Sequence, residues 1–168
     1  MSFDRFEFRY IRQEEAAEAA EIEKICFPPS QACAEEQMFA RIKEAPDFFL
    51  VAADTENGKL AGFLNGIVTD ENAFRDAFFT ETGIHDPDGK NVMLAGLDVR
   101  PEYRGKGLAG ELVRQYRDRE KERGKKRLVL TCLEEKIGMY EKFGFRDLGE
   151  SASTWGGVKW HEMEMLLN

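Results

Sequence analysis

The sequence predicts a mixed α/β fold of the α+β kind: a central mixed sheet of about seven strands flanked by about four helices. Three observations predict it. Apolar residues alternate with charged ones, or run together in short blocks, at Phe6–Tyr10, Phe48–Ala53 and Val92–Val99, which is the signature of strands. Between such blocks lie longer segments with apolar residues three and four apart, which is the signature of amphipathic helices. Finally, residues 92 to 132 read as strand, helix, strand; a helical crossover of that kind joins parallel neighbours.

The elements follow in order. Phe6, Phe8 and Tyr10 alternate with Glu7 and Arg9, giving a half-buried strand. Residues Gln13 to Cys26 are rich in Ala and Glu, with Ile22 and Ile25 on one face, and Pro28-Pro29 ends this helix. Ser30 is placed to cap a second helix running to about Lys43, with Met38, Phe39 and Ile42 inward. Phe48 to Ala53 is a buried strand, and Asn57-Gly58 turns it into a second one, Leu60 to Val68, as a hairpin. Residues 70 to 90 form an acidic connection in which Phe74, Phe78 and Phe79 have helical spacing. The strand Val92 to Val99 follows, then a helix from Leu108 to near Gly124 whose face is Leu108, Leu112, Val113 and Tyr116. Arg127 to Cys132 is a strand, Ile137 to Phe143 a short helix, Phe145 opens a strand, and Val158 to Leu166 is the last one.

At 168 residues the chain has the length of one domain, spanning 1–168, and neither repeats nor linkers divide it. A hydrophobic content of 42% with 33% charged residues is globular composition. No apolar run reaches the roughly 20 residues of a membrane span, and the first residues have no apolar signal core. Cys26, Cys33 and Cys132 lack metal-like spacing, so free thiols in a reducing, cytoplasmic setting are expected. No metal is expected. The net charge of −8 hides an asymmetry: residues 100 to 127 carry 11 Lys/Arg against 5 Asp/Glu, and the remainder sums to −14. That excludes a chain-wide nucleic-acid footprint and leaves room for a local anion site, although the solvated face of one helix also accounts for the basic stretch.

That stretch contains V-R-P-E-Y-R-G-K-G-L-A-G-E-L-V, residues 99 to 113. Gly105, Gly107 and Gly110 spell G-x-G-x-x-G, a dinucleotide signature. Yet five residues, Arg100 to Arg104, separate the strand from the first glycine, and the next strand ends Leu130-Thr131-Cys132 without an acid. Both features oppose a dinucleotide fold, and no P-loop pattern exists. A second pattern, Arg104-x-x-Gly107-x-Ala109, opens a helix after a proline-stiffened turn. Glycines there let backbone N–H groups approach a diphosphate, and the helix dipole adds about half a positive charge. Arg104 and Lys106 add formal charge.

R-G-K-G-L-A together with Y-E-K-F-G-F, residues 140 to 145, resembles the GCN5-related N-acetyltransferase (GNAT) superfamily, whose pyrophosphate loop reads R/Q-x-x-G-x-G/A. The stretch L-T-C-L-E-E-K-I-G-M-Y-E-K-F-G-F-R-D-L-G, the tail T-W-G-G-V-K-W-H-E-M and the early E-I-E-K-I-C-F are similar to its arylalkylamine (serotonin) N-acetyltransferase-like branch. The resemblance implies the GNAT fold, acetyl-CoA as cosubstrate and direct attack of an amine on the thioester. It implies that Leu97 and Val99 offer backbone groups to acyl-CoA where the fourth and fifth strands part. Asp98 lies between them with its side chain of opposite parity. Arg104, Gly105, Lys106, Gly107, Leu108 and Ala109 would hold the pyrophosphate. Tyr140 matches the family tyrosine that protonates the departing thiolate; its helical spacing with Phe143 also fits plain core filling.

The general base is not legible. The branch carries a histidine pair on the fourth strand, where this chain has Met93 and Ala95. Glu23 on the first helix reaches toward the acceptor cleft or is a solvated carboxylate. His85 reads as a surface loop residue, and His161 borders the cleft or is structural. Cys132 reads as packing. The resemblance puts the acceptor between C-F-P-P-S-Q-A and residues 70 to 85, where Phe27, Phe74, Phe78 and Phe79 would form an aromatic wall. The expected acceptor is a small primary amine of the arylalkyl type, with polyamines, aminoglycosides and protein N-termini as alternatives. A non-catalytic acyl-CoA sensor is the rival class. The family often pairs through strands near the C-terminus, so a homodimer is among the expected assemblies, with neither nucleic acid nor membrane as partner.

Overall fold

A computed structural model describes residues 2–167. The alternating N-terminal segment forms strand β1 (Phe6–Tyr10), antiparallel to β2 (Phe49–Asp54). The Asn57-Gly58 turn joins β2 to β3 (Leu60–Thr69): Gly58 has φ +74°, and Asn57 Oδ1 accepts the Lys59 N–H at 2.9 Å. Strand β4 (Asn91–Val99) runs antiparallel to β3, and β5 (Arg127–Cys132) is parallel to β4. Strands β6 (Arg146–Glu150) and β7 (His161–Leu166) complete a seven-stranded sheet in the order β1-β2-β3-β4-β5-β7-β6. This is the mixed α/β sheet the residue patterns predict.

Helices cover both faces. Helices α1 (Ala16–Cys26) and α2 (Glu35–Glu44) lie on one, where Ile22, Met38 and Ile42 pack on Phe49, Val51 and Phe63. Helix α4 (Leu108–Glu122) lies on the other, with Leu112, Val113 and Tyr116 against Leu64, Val92 and Leu128. Each such side chain, fully buried, contributes about 1.5–3 kcal/mol. The short α3 (Ala77–Thr80) buries Phe74 and Phe78 against Met93 and Val129. Helix α5 (Ile137–Lys142) leads into β6.

Several local expectations are corrected. Helix α2 starts at Glu35 after Ala34, not at Ser30, because residues 28 to 33 are held as a loop by the tail: the Trp155 indole N–H donates to Gln31 O at 3.0 Å. Phe39 is 41% exposed and Ile25 46%; Arg41 takes the inward slot on α2 beside Met38 and Ile42. Strand β7 starts at His161 instead of Val158, since Gly156 and Gly157 both have positive φ and turn the chain. Strand β6 starts at Arg146, one residue after Phe145.

Two irregularities open the sheet at its centre. Pairing between β4 and β5 stops after Met93 opposite Val129, so the strands diverge beyond it. In β4, Gly66 pairs with Leu94 but Asn65 with Gly96, leaving Ala95 as a bulge. A bulge reverses the side-chain parity downstream. Val92 and Leu94 face α4 before it, and Leu97 and Val99 do so after it.

Candidate active site

The divergence of β4 and β5 creates a cavity of about 730 Å³, floored by Leu94, Ala95, Gly96, Leu97 and Val99 on one side and Leu130 to Leu133 on the other. Arg100 donates its N–H to Ala61 O in β3 at 2.9 Å. By alternation the backbone groups of Val99 and Leu97 point the other way, into the cavity. Val99 O accepts from Arg104 Nε at 2.9 Å and from Cys26 Sγ at 3.4 Å.

One end of the cavity is walled by Arg104, Gly105, Gly107, Leu108 and Ala109. Gly105 and Gly107 have φ +79° and +84°, and Gly107 is the N-cap of α4. Among the described residues, no protein acceptor bonds the amide N–H groups of Gly105 through Gly110. Six consecutive free donors at a helix N-terminus form a site for a polyanion. An ideal Cβ on Gly105 would meet nothing within 4 Å, so that glycine is set by φ. On Gly110 it would lie 3.1 Å from Phe143 Cε1, so the third glycine of the motif serves helix packing. Lys106 is exposed and stands outside the cavity walls.

At the centre stands Tyr140 of α5. Its ring makes edge-to-face contacts with Phe143 (6.0 Å) and Phe145 (5.7 Å), and its hydroxyl has no protein hydrogen-bond partner among the described residues. Burial pushes the Tyr140 phenol well above its ordinary value, with Cys132 and Asp98 adding to the shift. At neutral pH the group is therefore a proton donor, not a base. Burial also raises the Cys132 thiol to about 11, and Cys132 packs against Met163 Sδ at 3.5 Å.

The far end is aromatic. Phe79 stacks on Trp155 (5.3 Å, 29°) and lies 6.5 Å from Trp160, and Phe27 joins them in the cavity wall. Phe74 and Phe78, expected in this wall, are instead buried under α3, 2% and 0% exposed. The two tryptophans come from the tail, which residue pattern alone did not bring to the site; two tryptophans around Gly156-Gly157 were the available signal. Buried Arg41 fixes this region: it donates to Asn65 Oδ1 (3.1 Å), Phe78 O (3.3 Å) and Phe79 O (2.9 Å).

Glu23 of α1 is buried and lines the cavity, with Oε2 accepting the Cys33 N–H at 2.9 Å. Asp98 lies on the α1 face of β4, behind the cavity and fully buried. Met93 is buried against Phe74 and Phe78 and cannot reach the cavity, whereas the bulged Ala95 lines it. His85, expected at the surface, is half-buried: its Nδ1 accepts the Val68 N–H at 3.0 Å, and burial lowers its pKa. His161 sits 3.2 Å from Asp147, outside the main cavity. Among the described residues there is no cluster of potential metal ligands, and no helix is long and apolar enough to cross a membrane.

The site is thus a mixed sheet split at its fourth and fifth strands, with a free-amide loop at one end of the split and a phenol in it. The chain belongs to the Acetyltransferase (GNAT) family, whose model matches residues 16–145. It is 29% identical to the serotonin N-acetyltransferase of Mesocricetus auratus over 113 residues, 67% of this chain and 53% of that protein, so it spans about half that relative's length. Among solved structures it is similar to a GphF GNAT-like decarboxylase in complex with isobutyryl-CoA (17% identity, TM-score 0.83), covering 96% of this chain and 100% of that one. It is likewise similar to YncA of Salmonella typhimurium with acetyl-CoA (18% identity, TM-score 0.66), covering 97% and 94%.

Proposed function

We propose that this protein transfers the acetyl group of acetyl-CoA to a small primary amine, of the arylalkyl type. The observation that carries the reading is the row of six free amides, Gly105 to Gly110, at the end of the β4–β5 split. Those amides and Arg104 would hold the pyrophosphate, and the cavity-facing backbone of Leu97 and Val99 the pantetheine. Acetyl-CoA supplies an activated acyl group. The protein's own tasks are to align the amine, exclude competing water and place a proton donor at the departing sulfur. Tyr140 is suited to the last, because its environment keeps it protonated.

The acceptor class follows from the opposite end. Phe27, Phe79, Trp155 and Trp160 offer an apolar, stacking surface, and Glu23 puts a carboxyl beside it. An aryl ring with an alkylammonium arm matches both, and cationic recognition is assisted by the aromatic faces. A linear polyamine can meet the carboxyl and the aromatic faces with its ammonium groups but has no ring to stack on Phe79 and Trp155. Three free cysteines fit a reducing compartment.

The test is release of CoA thiol from acetyl-CoA against tryptamine, phenethylamine, spermidine, an aminoglycoside and a short peptide. Saturable release with tryptamine or phenethylamine at the highest kcat/KM is expected. A preference for spermidine or the peptide would refute the acceptor class. Thermal protection by acetyl-CoA without release from any amine would refute catalysis and favour a sensor.

A further inference from the structure

The bulge at Ala95 sets two carboxyl groups side by side. Glu23 from α1 and Asp98 from β4 converge on Gly96: an ideal Cβ there would lie 3.2 Å from Asp98 Oδ1 and 3.6 Å from Glu23 Oε1. Asp98 is 0% exposed, and neither of its oxygens meets a donor among the described residues. No cation faces it. The groups around the pair are Cys26 on α1, Cys33 in the following loop, Asn65 on β3 with Arg41 of α2 bonded behind it, and Tyr140 across the cavity. Arg41 directs its two terminal nitrogens to Asn65, Phe78 O and Phe79 O, and its buried Nε bonds to nothing among the described residues.

An isolated ionised carboxylate buried in this way is too costly to persist, and two adjacent carboxylates cannot both stay charged. Burial first, and Glu23 second, push the Asp98 carboxyl well above the usual range. Protonated Asp98 then has one acceptor suited to its O–H, the Glu23 carboxylate, whose other oxygen takes the Cys33 N–H. The member of the pair that lines the cavity is Glu23.

We propose that Glu23 and Asp98 form a one-proton carboxyl pair in which Glu23 takes the proton of the acceptor ammonium and Asp98 positions Glu23. This rests on the acetyltransferase reading. One N–H bond of the ammonium breaks and its proton passes to a Glu23 oxygen. The freed lone pair forms the C–N bond at the thioester carbonyl as the C–S bond breaks. The sulfur takes the Tyr140 proton, and Tyr140 recovers one from the acylated nitrogen. Glu23 returns its proton to solvent through the open cavity. Glu23 is the catalytic residue, and Asp98 is a positioning residue.

The experiment is kcat/KM for tryptamine between pH 6 and pH 10, in the full chain and its Glu23→Gln, Asp98→Asn and Asp98→Leu variants, with thermal protection by acetyl-CoA recorded for each. Glu23→Gln should lose about 10²-fold at pH 7. The loss should shrink as pH rises toward the range where the amine itself is neutral, with protection by acetyl-CoA unchanged. Asp98→Asn, which keeps a donor toward Glu23, should stay within about threefold of the parent, and Asp98→Leu should fall with Glu23→Gln. In a Glu120→Gln background, which removes the other raised carboxyl, an infrared band of a protonated carboxyl at pH 7 should vanish in Asp98→Asn. Parent turnover with an unaltered Glu23→Gln profile, or no such band, overturns the pair while leaving the acetyltransferase standing. No parent turnover despite acetyl-CoA protection overturns both.

Discussion

Tyr140→Phe isolates the proposed proton donor. The ring is held by edge contacts to Phe143 and Phe145, while the hydroxyl bonds to nothing in the protein among the described residues. Deleting one oxygen should thus leave folding within about 0.5 kcal/mol. It should also leave the proposed pyrophosphate site untouched, since that site is built from the amides of Gly105 to Gly110. The expected loss is in kcat: general acid catalysis is worth about 10²–10⁴-fold. A thiolate is a comparatively good leaving group, which puts the loss near the lower bound, about 10²-fold or 2.7 kcal/mol at 1.36 kcal/mol per decade. KM for acetyl-CoA should change less than about threefold, because the missing interaction is made in the transition state. Thiol release at saturating amine, with melting temperatures for both proteins, measures every term. A pH series adds a check with a definite sign. An acid fails above its pKa, and that of Tyr140 is raised, so no alkaline break from it should appear near pH 10. Full kcat in Tyr140→Phe, or equal losses in kcat and acetyl-CoA affinity, would refute the assignment and leave the ring as core filling.

Three further outcomes follow from the same geometry. Trp155→Ala removes the face stacked on Phe79; KM for tryptamine should rise about tenfold and that for spermidine should hold, as steady-state kinetics would show. Glu120 is 1% exposed with one unbonded oxygen, and burial raises its pKa to about 7 against the pull of Arg123 and Lys125. A carboxyl raised in the folded state costs stability as pH climbs from the unfolded value through 7, so Glu120→Gln should gain about 2–3 kcal/mol at pH 8 and little at pH 4.5 in denaturant titrations. Arg41→Met strips the donors from Asn65, Phe78 O and Phe79 O. It should cost about 3 kcal/mol, seen as a melting point lower by about 6–12 °C.

How far the sequence reaches differs along the chain, for physical reasons. The hairpin at Asn57-Gly58 and the strand–helix–strand unit ending at Cys132 are legible because their determinants are local: a positive-φ glycine, an apolar run, a helical stripe. The loop Arg104 to Ala109 is legible for the same reason. The start of α2 is not, because residues 28 to 33 answer to Trp155 and Gly156, more than a hundred residues away. Gly156 itself needs to be glycine, since an ideal Cβ would come within 2.9 Å of Ser30 O. The aromatic wall fails locally too: Phe74, Phe78 and Phe79 have one spacing, but a four-residue helix can bury only part of it, and Phe79 is left to meet the tail.

The proposed base is hidden by a different mechanism. Strict alternation along Met93, Ala95, Leu97 and Val99 assigns all four to one face, which is why a missing histidine pair at 93 and 95 reads as a missing base. One extra residue at Ala95 breaks that inference: Met93 turns into the cluster under α3, and Gly96 and Asp98 take the face shared with α1. A side chain at Gly96 would crowd the space that lets the two carboxyls meet. The bulge thus moves polar chemistry off the strand positions where the pattern seeks it and onto a helix–strand contact, with Glu23 as its cavity-facing end. Deleting Ala95 would make Gly96 follow Leu94 directly while leaving Asp98 opposite Phe63, so Asp98 would stay on the α1 face beside Glu23; the carboxyl pair belongs to the register downstream of the bulge.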